Sequence, residues 1–269
     1  MITNYEDVTA PTVQQTVSLK GIACLREKPD PSATLDSQII FGERVTIRGM
    51  NGDWYDCVVD FCGFDRTGFI HMSELGDTAT PPTHRVSVPW APLLSLPNVR
   101  GDELDRLPKC SLLRIVAEEK FHYHVWPRGV VYKSHVQALG APAEDYLLAM
   151  RSLLGVPYIW GGRSTFGLDC AGFIELSMLL AGLRCPRARA DMPGFFGPPL
   201  EAGQMPRAGD IIVFPKHCAI FLDEDRVMHA SGSAGEVVEE TLVELQGYLQ
   251  CLGFETDYVH LRPSMVDER

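Results

Sequence analysis

Cys170 follows Asp169 and opens a run, residues 170–181, that holds no proline and one glycine before Gly182. This pattern predicts a helix capped by Asp169 and stopped at Gly182, with Cys170 in its first turn. A thiol placed there meets free backbone N–H groups and the positive end of the helix dipole, which favour thiolate over thiol. The same N–H groups can receive the oxyanion of a tetrahedral intermediate. Position alone does not decide the matter, since a cysteine at a helix start is more often a small buried hydrophobe.

A nucleophile of this kind needs a base. His217 precedes the apolar run Cys218-Ala219-Ile220-Phe221, and His229 follows Val227-Met228. If residues 223–225 form a three-residue turn, Leu222 faces Arg226 and His217 faces Ser231. His229 then lies diagonal to His217 on one face of the sheet, within side-chain reach. A two-residue turn would put the pair on opposite faces. Taken singly, His217 also reads as a surface histidine at the start of a strand.

The surrounding residues carry a resemblance. Gly155-Val156-Pro157-Tyr158-Ile159-Trp160-Gly161-Gly162 runs into Phe166-Gly167-Leu168-Asp169-Cys170-Ala171-Gly172-Phe173, and Pro206-Arg207-Ala208-Gly209-Asp210-Ile211-Ile212-Val213-Phe214 leads to His217. These segments resemble the NlpC/P60 cysteine peptidases. The resemblance implies a papain-like α+β domain with Cys170 as nucleophile, His217 as general base and His229 as the residue that orients the base. Two departures stand out. Ala171 occupies a position that is serine in many relatives, and Cys218-Ala219 replaces the usual Val-Gly after the base.

These residues need a scaffold. Residues 17–76 hold short β-rich runs (Val45-Thr46-Ile47, residues 54–59 and 68–72) separated by Pro29-Asp30-Pro31, Asn51-Gly52-Asp53 and residues 63–66. Several short strands with turn signals in so short a stretch suggest a small barrel. Leu25-Arg26-Glu27-Lys28-Pro29, Phe41-Gly42-Glu43-Arg44-Val45, Gly52-Asp53-Trp54-Tyr55 and Thr67-Gly68-Phe69-Ile70 resemble a bacterial SH3 domain. Residues 83–138 resemble a second, divergent copy, in which residues 89–97 do not match a strand. Residues 76–82 read as the linker, and 141–265 as the catalytic domain. Pro142 is expected in the first turn of a helix whose apolar stripe is Tyr146, Leu147, Met150, Leu153 and Leu154. The expected fold is therefore multidomain: two small all-β SH3-like barrels followed by an α+β papain-like NlpC/P60 domain.

The 269 residues suit two or three domains of about 100 residues each. With 45% hydrophobic and 22% charged residues, the composition is that of a globular protein. A net charge of −11 argues against nucleic acid or an anionic membrane surface as partner, since phosphate backbones select basic faces. Residues 1–10 carry acids and no basic n-region, so no export signal is read there and a cytoplasmic location is expected. The eight cysteines are irregularly spaced without a CxxC pair, so reduced thiols are expected, and neither a metal nor a cofactor.

Relatives of this layout resemble enzymes that cut the γ-D-glutamyl–diamino acid bond of short murein peptides bearing a free N-terminal L-alanine, in cell-wall recycling. In them the acid before the nucleophile and residues of the first SH3 module hold the amine. The resemblance thus implies substrate contacts for Asp169 and Glu43, and for Tyr158 near the nucleophile. Glu43 also reads as a barrel-surface acid, and Tyr158 as a packing residue. The rival readings are a non-catalytic murein-peptide binder and a thiol amidase or acyltransferase of the same fold. The sequence carries no reading of oligomeric state.

Overall fold

The computed structural model describes residues 14–77, 80–98, 100–201 and 203–264. The export-signal reading of residues 1–10 falls outside them, as do residues 78 and 79 of the expected linker and residue 265 at the expected domain end.

Strands Gln14–Ser18 (β1), Ile22–Arg26 (β2), Leu35–Ile40 (β3), Arg44–Asn51 (β4), Trp54–Phe61 (β5), Phe64–His71 (β6) and Leu75–Gly76 (β7) form one sheet. Its order is β3-β2-β6-β5-β4-β1-β7. Cys57, Val59 and Phe61 alternate inward along β5, and with Leu25, Ile39, Val45 and Ile70 they make a separate core. This is the period-two burial of a sheet with one covered face. The β5–β6 turn is tighter than the sequence suggests. Phe61 pairs with Phe64, leaving only Cys62 (φ 62°) and Gly63 (φ 89°) between the strands, both left-handed. Two central residues at positive φ are what a type I′ hairpin requires. A cysteine rarely fills that place, so Asp65 and Arg66, expected as turn residues, are strand residues.

The second β module holds His84–Val86 (β8), Trp90–Leu94 (β9), Glu103–Pro108 (β10), Leu112–Leu113 (β11), Ile115–Glu118 (β12), His122–Val125 (β13), Val130–Tyr132 (β14) and Val136–Ala138 (β15). Two sheets, β10-β9-β14-β13-β12 and β11-β8-β15, enclose its core. The expectation that residues 89–97 avoid strand structure is corrected by β9. Pro92 sits opposite Arg106 of β10, while β14 pairs with β9 only at Leu94, so the missing N–H costs no ladder bond on that side. The first module reaches into this core with Phe41, 2% exposed. Gly42 (φ 82°) makes the approach possible, because a Cβ there would stand 2.0 Å from Leu112 O.

The third unit begins at Tyr146–Arg151 (α1), capped by Asp145, whose carboxylate accepts from Leu148 N at 3.0 Å. Pro142 therefore lies ahead of the helix rather than in its first turn. Arg163–Ser164 (β16) and Gly167–Leu168 (β17) form a small hairpin before Cys170–Leu180 (α2), and Met192–Phe196 (α3) follows. Ile211–Val213 (β18), Cys218–Phe221 (β19), Arg226–Ser231 (β20), Glu236–Thr241 (β21) and Val259–Leu261 (β22) form an antiparallel sheet in the order β21-β20-β19-β18-β22. Leu242–Cys251 (α4) is held by a capping box between Thr241 and Glu244.

The central sheet is covered on both faces. Cys218, Ile220, Met228 and Ala230 pack with the α2 residues Phe173 and Ile174, while Ala219, Phe221 and Val227 pack with Leu245 and Leu249 of α4. All eight cysteines are unpaired. Among the described residues no helix is long and apolar enough to cross a membrane.

Candidate active site

The helix that carries the thiol is built as its residue order demands. Asp169, extended at φ −90° and ψ 178°, caps α2 by accepting from Gly172 N at 2.7 Å. The first turn lies so near the preceding loop that a Cβ on Gly172 would stand 2.1 Å from Gly162 O. These glycines are spacing elements: they let the loop of residues 155–162 seat the helix start. Cys170 is partly exposed at that start, and Gly182 (φ 70°) follows the other end.

On the sheet, Ile220 pairs with Met228 and Phe221 with Val227, and Leu222 N donates to Arg226 O at 2.8 Å. The three-residue turn is thus the one present, and it sets the two histidines on one face. His217 Nε2 and His229 Nδ1 are 2.8 Å apart, with rings nearly perpendicular at 87°. His229 is wholly buried, and its Nε2 lies 2.7 Å from Glu240 Oε1. Glu240 pairs with Val227 while His229 pairs with Val238, so the acid sits diagonal to the imidazole.

Two side chains act on the Cys170 thiol, those of Cys218 and His217. The Cys218 hydrogen bond is the largest influence holding Cys170 well below the usual thiol range. Burial opposes it, and the hydrogen bond and charge of His217 assist. Burial pushes Cys218 the other way, and the charge on Cys170 adds to that rise. Of the two thiols, Cys170 is the one that ionises and Cys218 the one that keeps its proton. Burial near Cys170 also pushes Tyr158 up to about 12, so its hydroxyl is protonated at neutral pH.

A cleft of about 510 Å³ opens over Cys170 and His217. Tyr158, Trp160 and Asp169 line it from the catalytic domain, and Tyr248, Leu252 and Phe254 form an apolar wall. Glu27, Leu35, Asp36 and Arg66 of the first β module close one side. Asp36 and Arg66 are paired with each other. Glu27 is exposed, and among the described residues its carboxylate has no partner.

Two expected substrate contacts already have partners within the protein. Asp169 lines the cleft, but its carboxylate already accepts four hydrogen bonds: Gly172 N (2.7 Å), Gly161 N (3.1 Å) and both terminal nitrogens of Arg187 (3.0 and 2.6 Å). A carboxylate offers about four lone-pair sites, so none is left for an incoming amine. Glu43 is outside the cleft. It lines a separate cavity of about 420 Å³, where Oε2 accepts from Arg163 Nη1 at 2.6 Å and from Ile40 N at 2.8 Å. Arg163 in turn binds Glu175 of α2 at 2.6 Å. Burial works against the Arg163 cation, but the two carboxylates more than offset it and hold the group protonated.

Sequence reasoning missed Glu27 and Glu240. Glu27 stood inside a quoted motif and could have been weighed as an acid of the first module. Glu240 had no such signal, because finding it requires the register of a strand that the pattern did not announce. Among the described residues no group of three or more His, Cys, Asp or Glu side chains is placed to hold a metal ion.

A low-range thiol at a helix start, facing an imidazole on an antiparallel sheet, defines a papain-like thiol hydrolase. Residues 155–250 match the NlpC/P60 family, so the third unit of this chain is an NlpC/P60 cysteine peptidase domain. It is 25% identical over 232 residues to the gamma-D-glutamyl-L-lysine dipeptidyl-peptidase of Bacillus subtilis (strain 168), covering 78% of this chain and 77% of that one. It is likewise 25% identical over 247 residues to dipeptidyl-peptidase 6 of Lysinibacillus sphaericus, covering 83% and 90%. The crystal structure of an NlpC/P60 family protein from Bacillus cereus ATCC 10987 shares the fold, with a TM-score of 0.74 at 21% identity over 94% of this chain and 100% of that chain.

Proposed function

We propose that the protein hydrolyses the γ-D-glutamyl–diamino acid bond of short murein peptides whose N-terminal L-alanine amine is free. The observation that carries this reading is Cys170 and His217 on the floor of a cleft closed on one side by an acid-bearing β module, with His229 buried behind His217. In this reading the two N-terminal β modules are SH3-like, and the first has become a wall of the substrate site. The name of the Bacillus subtilis relative, a gamma-D-glutamyl-L-lysine dipeptidyl-peptidase, supports the bond.

The Cys170 thiolate attacks the γ-carbonyl carbon, and the oxyanion is received by backbone N–H at the start of α2. Protonated His217 gives its proton to the leaving amine nitrogen, the C–N bond breaks, and a thioester to Cys170 remains. Water then attacks the thioester, His217 takes its proton, and the thiolate departs. His229 holds the imidazole of His217 in place throughout. With Asp169 saturated, the group that meets the substrate amine is Glu27, at the closed side of the cleft. Tyr158 contributes a neutral hydroxyl to the same site.

A closed side suits peptides already freed from sugar and not an intact cell wall. Recycling in the cytoplasm is the setting in which such peptides occur, and we place the enzyme there. Incubation with L-Ala-γ-D-Glu-meso-diaminopimelate, followed by mass spectrometry, should release free diaminopimelate. Turnover of the N-acetylated tripeptide at a comparable rate would refute the requirement for a free amine.

A further inference from the structure

We propose that Glu240 is a positioning residue of the active site: by accepting a hydrogen bond from His229 Nε2 it fixes which nitrogen of each histidine carries a proton, and thereby which atom of His217 faces Cys170. The inference rests on the catalytic reading above and adds a residue and a proton assignment to it.

The argument starts from donor inventories. An ionised carboxylate only accepts, whereas each nitrogen of a neutral imidazole either donates or accepts. Glu240 Oε1 is 2.7 Å from His229 Nε2, so that nitrogen must carry hydrogen. Burial holds His229 toward its neutral form, with the Glu240 hydrogen bond opposing it. A neutral ring protonated on Nε2 has a bare lone pair on Nδ1. That lone pair faces His217 Nε2 at 2.8 Å, so His217 Nε2 must be the donor. The remaining ring nitrogen of His217, Nδ1, is then the atom left for Cys170.

This assignment serves both halves of the reaction. While His217 is protonated, Nε2–H points to His229 and Nδ1–H points to the thiolate. Once the Nδ1 proton has gone to the leaving group, Nε2–H still points to His229, and Nδ1 is ready to take a proton from water. Without the carboxylate, His229 could turn its own N–H toward His217. His217 would then hold its proton on Nδ1 and could not act as a base there.

Glu240 is placed for this task and for no other visible one. Its side chain is 27% exposed, and its sole side-chain hydrogen bond among the described residues is to His229. The neighbouring cations Arg151 and Arg226 are held by Glu239 instead, each at 3.1 Å. A fully buried imidazole N–H left without an acceptor would cost stability, so a merely structural role must be separated from a positioning one.

The full chain labelled with ¹⁵N-histidine separates them. In the parent protein His229 should show a protonated Nε2 and a bare Nδ1. Glu240→Ala should mix its tautomers and lower kcat by roughly a hundred-fold, the low end of what a positioned base supplies, with KM little changed. Glu240→Gln, whose amide oxygen can still accept, should recover part of kcat. A parent His229 protonated on Nδ1 would overturn the proposal whatever the variants do, including any that fail to fold. Unaltered nitrogen shifts and kcat in Glu240→Ala would overturn it equally. Cys170→Ala is the separate control: if it retains turnover the catalytic reading fails, while the tautomer of His229 still judges Glu240.

Discussion

Arg187 lays both terminal nitrogens on the carboxylate of Asp169, at 3.0 and 2.6 Å, while its Nε donates to Ser37 Oγ at 3.0 Å. The acid beside the nucleophile is therefore tied to the first β module through Arg187. Asp169→Asn would leave Arg187, only 5% exposed, with the more distant Glu175 at 3.7 Å as its counter-charge. Breaking a buried pair on one side costs about 3–5 kcal/mol. Urea unfolding should show a loss of this order, together with a loosened helix start. An Asp169→Asn protein of unchanged stability, altered only in its preference for free amines, would show that the carboxylate serves substrate instead.

The two thiols at the site should be separable by their ionisation. Iodoacetamide at mildly acidic pH should modify Cys170 ahead of the more exposed Cys251. Cys218→Ala should move the Cys170 labelling profile to higher pH, and Cys218→Ser, which keeps a donor, should restore much of it. Peptide-resolved mass spectrometry reads both. Identical profiles in all three proteins would mean that the neighbouring thiol only fills space.

Glu27 and Glu43 should separate in the same way. Glu27 is exposed, so its attraction for a substrate amine is that of a rim charge, up to about 1 kcal/mol or five-fold in preference. Glu27→Gln should narrow the ratio of free to acetylated tripeptide turnover by that factor. Glu43→Gln should leave the ratio alone and lower the unfolding midpoint, because Arg163 loses one of its two carboxylates. The reverse pattern would return Glu43 to substrate binding.

Buried His229 also sets a stability trend with pH. Its folded pKa is depressed, chiefly by burial. As pH falls below about 6.5 the unfolded chain gains a proton that the native state resists, so native stability declines toward the lower folded value. His229→Gln should remove this component of the slope between pH 7.5 and 5.5 in urea titrations. A parallel slope in the variant would mean that other groups govern acid sensitivity.

What the sequence revealed follows the range of the physical signal. The helix start at Cys170 depends on adjacent residues, and the His217–His229 register depends on one short turn, so both were readable. The Cys62-Gly63 turn was missed because a cysteine seldom adopts positive φ. Pro92 was misread because its tolerance depends on which neighbour fails to pair with β9. Glu236–Thr241 carries three glutamates and does not look like a strand, so Glu240 was hidden with it. The misplacement of Glu43 has the same origin: its partner Arg163, which also binds Glu175, is remote in sequence and meets it only in the folded chain.

Ser37, Gln38 and Glu43 belong to one short stretch of the first module, and each holds a polar group of the catalytic half. Ser37 receives Arg187, the Gln38 side chain receives Arg163 N and Ser164 Oγ at 3.1 and 3.2 Å, and Glu43 receives Arg163 Nη1. Transplanting a foreign β module onto this peptidase would therefore take one acceptor from each of two buried arginines unless that stretch travelled with the graft. A substitution at Arg163 or Arg187 would disturb both sides of the joint at once, because each arginine also holds a carboxylate of its own half, Glu175 or Asp169.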